Sequence, residues 1–369
     1  MLKFLMILTI AAAAGLQSWM ILFNNFAVDV AGLNGQQIGV VGSVREIPGL
    51  LALLVVYVLL ILREHHLAAL SIVTVGVGSI MTGFMPTFSG LIISTLVLSF
   101  GFHYFETTNQ SLTLQYFDKH RAPLVFGKLR SLSAAVNIAA GVSVFCLGFV
   151  LEYKSIFILI GVLVLILGAW GFTQRPIDHH LPPQRQNMVM RRKYALFYFL
   201  TCMAGARRQI FVAFAVFLMV KEFDCSVVQV AALFVVNNTI NYFLSPVIGR
   251  AIVKFGERKV LSLEYASLIL VFIGYAWTDS LAVVMFLYVA DHIFYNFAIA
   301  IRTYFQKVAD PEDIAPSMAV SFTINHLAAV VLPVIGGALW MVDYRIPFLA
   351  GALLSAISLL AVQWIRTEA

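Results

Sequence analysis

Residues 173–194 read TQRPIDHHLPPQRQNMVMRRKY, and no other stretch of the chain is as long and as polar. Its prolines and clustered arginines rule out a membrane helix. On both sides of it the sequence is almost continuously apolar. The whole chain is 61% hydrophobic and only 11% charged, where an average soluble domain carries about 25% charged residues. No soluble core can hide that much apolar surface, so lipid is the solvent for most of it. The net charge of +6 does not indicate nucleic acid. Its charges sit in short clusters between apolar runs, which is the pattern of membrane topology.

A helix needs about 20 apolar residues to cross a bilayer. Six such runs precede the polar stretch, near 4–28, 38–62, 67–87, 89–116, 122–150 and 155–172. Six follow it, near 195–220, 227–248, 260–277, 281–305, 314–341 and 346–365. The first run follows MLKF and continues to about Val28. That is longer than the apolar part of a signal peptide, so it is read as the first span. The predicted architecture is an all-α membrane protein of twelve transmembrane helices in two six-helix bundles, 1–172 and 195–369, joined by the 173–194 linker.

With the N-terminus inside, one face collects Lys3, Arg63, Lys119, Arg121, Lys128, Arg175, Arg185, Arg191, Arg192, Lys193, Arg250, Lys254, Arg258, Lys259, Lys307 and Arg366. The other collects Lys154, Lys221 and Arg345. This asymmetry places both termini and the linker in the cytoplasm, in a plasma (bacterial inner) membrane. The halves also repeat. Leu114-Gln115-Tyr116-Phe117-Asp118-Lys119 parallels Arg302-Thr303-Tyr304-Phe305-Gln306-Lys307, and Glu152-Tyr153-Lys154 parallels Asp343-Tyr344-Arg345. Between them, Val136-Asn137-Ile138-Ala139-Ala140 parallels Asn325-His326-Leu327-Ala328-Ala329, all at spacings of 188 to 191 residues. Internal repeats of this kind place a transport site between two similar halves.

The loop after the eighth span reads GRAIVKFGERKV, residues 249–260. It resembles the loop signature of the major facilitator superfamily, G-x-x-x-D-[RK]-x-G-x-[RK]-[RK]. Gly249, Lys254, Gly256, Arg258 and Lys259 match, and Val253 stands in place of the aspartate. Glycines there permit a tight turn and close helix approach, and the basic residues hold the loop on the cytoplasmic face. The first-half counterpart, VYVLLILREHHLA, lacks the motif. Pro333-Val334-Ile335-Gly336-Gly337 resembles the P-x-x-G-G core of the family's antiporter motif, but it lies in span eleven, not five. The span-four arginine of drug antiporters is absent. Phe126-Gly127-Lys128-Leu129-Arg130 is similar to the F-G-[RK]-x-R of lactose-permease-like symporters, whose last arginine binds substrate. That group's partner carboxylate in span four falls at Leu112 here. The superfamily resemblance implies that spans three, six, nine and twelve lie outermost and that the others line a central cavity.

A charge at a helix centre costs about 2.5–3.5 kcal/mol, so charges inside spans must face protein or water. Span two carries Arg45 and Glu46, with Gly39, Gly42 and Gly49 on the neighbouring faces for close helix approach. Span four carries His103 and Glu106 one turn apart, and span five begins with Arg130. Span seven carries Arg207 and Arg208, span ten Asp291 and His292, and span eleven His326. Asn237 and Asn238 of span eight fall 192 residues after Arg45 and Glu46, with Asn241 one turn on. Spans three, six and twelve have no interior charge, and span nine has only Glu264, near its start.

The candidate substrate ligands are therefore Arg45, Arg130, Arg207, Arg208, Asn237, Asn241 and His326. Two adjacent guanidiniums cannot share one face, so one of Arg207 and Arg208 is expected to reach the cavity. Glu106 is the first choice for the proton carrier, with His103, Glu46, Asp29, Asp291 and His292 as further proton-coupling candidates. His65-His66 and His179-His180 read as loop pairs.

Cys146, Cys202 and Cys225 show no disulfide or metal spacing. No nucleophile turn or phosphate loop is present, so an enzyme or an ATP-driven pump is not expected. The reading is a monomeric secondary transporter without cofactor, moving a small, anionic organic solute with a proton or other coupling ion. An exporter of drugs or amphiphiles and a non-transporting sensor or assembly factor are the alternatives.

Overall fold

The computed structural model describes residues 1–176, 181–225 and 227–366. The His179-His180 pair and the side chains of Pro333 and Val334 lie outside the described residues. Every regular element among the described residues is helical. The apolar runs become helices because only internal hydrogen bonding satisfies a backbone placed in lipid.

The first six spans are α1 (Leu2–Asp29), α2 (Gly35–Leu50) continued into α3 (Val55–Val58), α4 (Glu64–Phe84), α5 (Phe88–Tyr116), α6 (Arg121–Leu147) and α7 (Tyr153–Phe172). The last six are α8 (Ala195–Ile210) continued into α9 (Val216–Phe223), α10 (Val227–Phe255), α11 (Glu257–Trp277), α12 (Leu281–Tyr295) continued into α13 (Ile299–Val308), α14 (Ile314–Trp340) and α15 (Arg345–Val362). At 1.5 Å per residue, the 28 residues of α1 extend roughly 42 Å, enough to span the bilayer. Among the described residues, nine helical segments meet both the length and the hydropathy needed to cross a membrane.

Three spans lose α-helical regularity just after their charges. A 3-10 turn at Leu51–Leu54 follows Arg45, Glu46 and Pro48 in span two. A π turn at Phe211–Ala215 follows Arg207 and Arg208. A 3-10 turn at Asn296–Ala298 follows Asp291 and His292. Such irregular turns free backbone groups and re-aim side chains, which is why they recur at functional sites.

Local chemistry sets the helix ends. Asn34 caps α2 reciprocally: its Oδ1 accepts from the Gln37 N–H at 2.9 Å, and Gln37 Oε1 accepts from the Asn34 N–H at 3.1 Å. The α4 helix begins earlier than its apolar run suggests. Arg63 is the extended N-cap and Glu64 lies in the first turn, favourable to the helix dipole. His65 and His66 are therefore not a loop pair; they occupy the first turn of α4, with ring centroids 4.2 Å apart. Gly256 separates α10 from α11 at φ +80°, a conformation that explains a glycine at that motif position.

The chain forms two compact units. One comprises Met1–Tyr116, Leu132–Val189 and Pro311–Thr323. Its centre is made by small residues that let backbones touch. A Cβ on Gly76 would lie 2.7 Å from the Gly161 carbonyl, and one on Gly161 2.8 Å from the Gly76 carbonyl, which locks α4 against α7. Gly101 brings α5 equally close to the Ser71 carbonyl of α4, at 2.5 Å. Gly39 and Gly42 of α2 do not serve this purpose. A Cβ on either meets nothing within 4 Å among the described residues, so close approach occurs on α4, α5 and α7 instead.

The linker is anchored within this unit. Arg185 pairs with Glu312 at 3.0 Å and with the fully buried Asp313 at 2.8 Å, while Gln184 Oε1 accepts from the Ala315 N–H at 2.9 Å.

The other unit comprises Phe117–Ser131, Met190–Asp310 and Ile324–Ala369. Its core is aromatic, built from Phe211, Phe214, Phe272, Tyr275, Trp340 and Phe348. The start of α6 lies against α10 in this unit. A Cβ on Gly127 would fall 2.5 Å from the Ser245 carbonyl, and one on Gly249 2.5 Å from the Pro123 carbonyl. Ser131 Oγ donates to the Tyr242 carbonyl at 2.6 Å. The glycines of two sequence motifs thus serve one close helix crossing.

Candidate functional site

The close crossing of α6 and α10 sets Arg130 beside the irregular turn of span ten. Arg130 Nε donates to Asn296 Oδ1 at 3.1 Å. Asn296 Nδ2 donates to Asn241 Oδ1 at 2.5 Å and to the His292 carbonyl at 2.7 Å. Asn241 Nδ2 then lies 2.7 Å from His292 Nε2. With Asn241 donating, His292 Nε2 is the acceptor and the ring proton sits on Nδ1. Each group orients the next, so the four side chains form one directed relay.

Arg208 stands on the same side of the unit, its guanidinium 5.7 Å from the Tyr295 ring centroid. Both Arg130 and Arg208 are close enough to His292 to act on it electrostatically. Arg302 adds a third guanidinium, 5.8 Å from the Phe126 ring centroid. Arg130 and Arg208 are exposed, whereas Asn241 and Asn296 are buried. A buried amide, Asn296, therefore holds the exposed Arg130 guanidinium in place, with a second exposed guanidinium near by, an arrangement suited to an anion.

Asn296 was not among the sequence candidates. Its signal was present: it follows His292 by four residues, one helical turn on the same face.

Arg207, next to Arg208, takes the opposite course. It is 3% exposed, donates to Ser358 Oγ of α15, and lies 3.6 Å from the Glu264 carboxylate of α11. Its guanidinium sits 4.4 Å from the Tyr265 ring centroid. Asp291 is buried within electrostatic reach of Arg207. Glu264, read from sequence as a residue near a helix start, is 1% exposed.

Of the remaining candidates, Glu46 and His103 come together in the first unit, with side-chain ligand atoms within 4.8 Å of each other. Arg45 and Glu46 pair at 3.1 Å, half-buried, and the Arg45 carbonyl accepts from Ser99 Oγ at 2.5 Å. His103 is buried edge-on to Phe322 at 5.9 Å. Glu106 is half-buried on the same helix and receives Gln110 Nε2 at 3.5 Å. Asp29 is exposed at the end of α1 and accepts from the Tyr153 hydroxyl at 3.0 Å. Asn237 is buried with both amide atoms unpartnered among the described residues. His326 is buried in α14 next to Asn325, whose backbone meets Gly205 of α8.

In the motif loop, Arg258 donates twice to Gln363 Oε1, at 3.1 and 2.9 Å. Lys254 lies 5.2 Å from the Phe255 ring centroid, and Lys259 is exposed. Between the matching positions, Glu257 is fully buried and pairs with Lys307 at 2.8 Å.

The sequence profile of the Major Facilitator Superfamily matches residues 4–297 and 197–369. No curated protein matches the chain. Several solved structures are similar to it. The human organic anion transporter MFSD10 (TETRAN) shares 12% identity at a TM-score of 0.76 over 98% of each chain. The E. coli fucose:proton symporter FucP shares 12% identity at 0.78, over 100% of this chain and 98% of that one. A bacterial homologue of the iron transporter ferroportin shares 13% at 0.76 over 98% of each. At these identities the likeness is one of fold.

Proposed function

The chain belongs to the major facilitator superfamily, and on that premise we propose that it moves a small organic anion across the membrane by alternating access, coupled to protons. The family transports solutes and does not transform them chemically. The single observation that carries the anionic reading is the relay from Arg130 through Asn296 and Asn241 to His292, with Arg208 alongside. Holding Nε of Arg130 on Asn296 fixes the plane of the guanidinium. A planar, fixed fork recognises carboxylate or phosphate oxygens better than a mobile ammonium does.

Arg130 and Arg208 are the charged ligands, and Asn296, backed by Asn241 and His292, orients Arg130. Arg45, Asn237 and His326 are further candidate substrate ligands. Organic anion transport and proton symport, named for two of the similar structures, are the two activities combined here. The proposal includes two pseudo-symmetric halves, 1–172 and 195–369, both termini in the cytoplasm, and a monomer in the plasma membrane. Gly249, Lys254, Gly256, Arg258 and Lys259 form the loop about which the conformations exchange.

Glu106 is the proposed proton carrier. It is a half-buried carboxylate inside a span, where a charge is costly and protonation removes it. The test is Glu106→Gln, which keeps the shape and removes the titration. Purified protein is titrated with an anion that stabilises the wild type, at one mildly acidic and one neutral pH. The variant is expected to bind with one affinity at both pH values, while the wild-type affinity differs between them. If both proteins show the same pH dependence, Glu106 does not carry the proton.

A further inference from the structure

Arg207 of α8 lies 3.6 Å from Glu264 of α11, and Asp291 of α12 is buried in the same unit within electrostatic reach of both. All three are more than nine-tenths buried. Arg207 Nη2, Glu264 Oε2 and Asp291 Oδ2 are buried without a hydrogen-bond partner among the described residues. The other groups facing the cluster are Tyr265 and Tyr275 of α11, Tyr288 of α12 and Ser358 of α15. The tyrosines are neutral at physiological pH and the serine does not ionise. One guanidinium balances one carboxylate, and among the described residues no second cation is placed to balance the other. Two carboxylates sharing one buried site cannot both stay ionised when a proton is available.

We propose that Glu264 and Asp291 hold one proton between them opposite Arg207, and that this cluster is a second proton site of the transporter. The step is a simple exchange: a carboxylate oxygen binds a proton from water and later returns it. The unpartnered oxygens Glu264 Oε2 and Asp291 Oδ2 are where that proton sits. The site is linked to the anion relay by the chain itself. Asp291 and His292 are consecutive on α12, turned about 100° apart, so a shift of that helix moves both. The π turn at Phe211–Ala215, directly after Arg207 and Arg208, gives α8 a place to adjust. Arg207 is accordingly a counter-charge held in the interior, and Arg208 the partner that reaches solute.

This inference deepens the proton-coupled reading, but its test reads the bound proton and needs no solute. Infrared spectra of the purified protein at neutral pH are recorded in H2O and in D2O. The wild type is expected to show the carbonyl stretch of a buried protonated carboxylic acid, shifted to lower frequency in D2O. The Glu264→Gln and Asp291→Asn variants, each isosteric, should lose that band. In Arg207→Met both acids become neutral and the band should grow about twofold, by the same charge balance. A wild-type protein without the band overturns the proposal, as does a band that survives both carboxylate substitutions. Either result leaves the Glu106 reading standing, and failure of the Glu106 test leaves this one standing.

Discussion

Replacing Arg130 with alanine is expected to weaken binding of an organic anion by roughly 30- to 150-fold, equivalent to about 2–3 kcal/mol. The size follows from what is lost. A guanidinium oriented by a buried amide gives two parallel charge-assisted bonds to an oxyanion, and alanine gives none. Asn296 would also lose the donor that sets its own orientation, so the relay to Asn241 and His292 would loosen with it. Arg130→Lys restores the charge but not the fork, and is expected to recover only part of the affinity. Isothermal titration of an anion that stabilises the wild type measures both. Wild-type affinity in Arg130→Ala would remove this residue from the site.

Arg207→Ala is expected to cost about 3–5 kcal/mol of stability, because it leaves the ionised carboxylate of the buried Glu264 and Asp291 pair with no counter-charge. The neighbouring substitution, Arg208→Ala, is expected to change stability little, since that side chain is exposed and not part of the buried cluster. Melting temperatures in one detergent, at neutral pH, separate the two. The compensated variant Arg207→Met with Glu264→Gln should recover much of the loss, since removing both partners of a buried pair is far milder than removing one. If Arg207→Ala melts with the wild type, Arg207 is not the counter-charge of Glu264 and Asp291.

The contrast between these two adjacent arginines shows where sequence reasoning stopped. Composition and apolar run length were enough to place twelve spans, because lipid leaves the backbone no alternative to a helix. The loop at Gly249 was enough to identify the family. Helix ends were less legible: with Arg63 at the N-cap position and Glu64 in the first turn, His65 and His66 fall inside α4 although their residue types suggest a loop. Gly39 and Gly42 of span two do not make the contact face that their spacing suggests. Periodicity says which residues share a face, but it does not say what that face meets.

Within the site, Arg130, Asn241 and His292 were all named from their polarity inside spans, and they come together. Asn296 was passed over because an uncharged amide carries a weak signal beside Asp291 and His292. Glu264 stands near the start of span nine, a position that carries no sequence signal of burial. The long arginine side chain from α8 nonetheless reaches it on α11, and reach of that kind cannot be read along a single helix.

The central claim, an anion held by Arg130 and Arg208, is tested most directly by thermal denaturation of the purified protein with small organic anions, neutral sugars and lipophilic cations. A ligand that binds the folded state raises the melting temperature by mass action. Stabilisation by one or more anions is expected, lost in Arg130→Ala and in Arg208→Ala and kept in the exposed linker variant Arg192→Ala. Stabilisation by lipophilic cations alone, unchanged in those two variants, would contradict it and identify an exporter of amphiphiles.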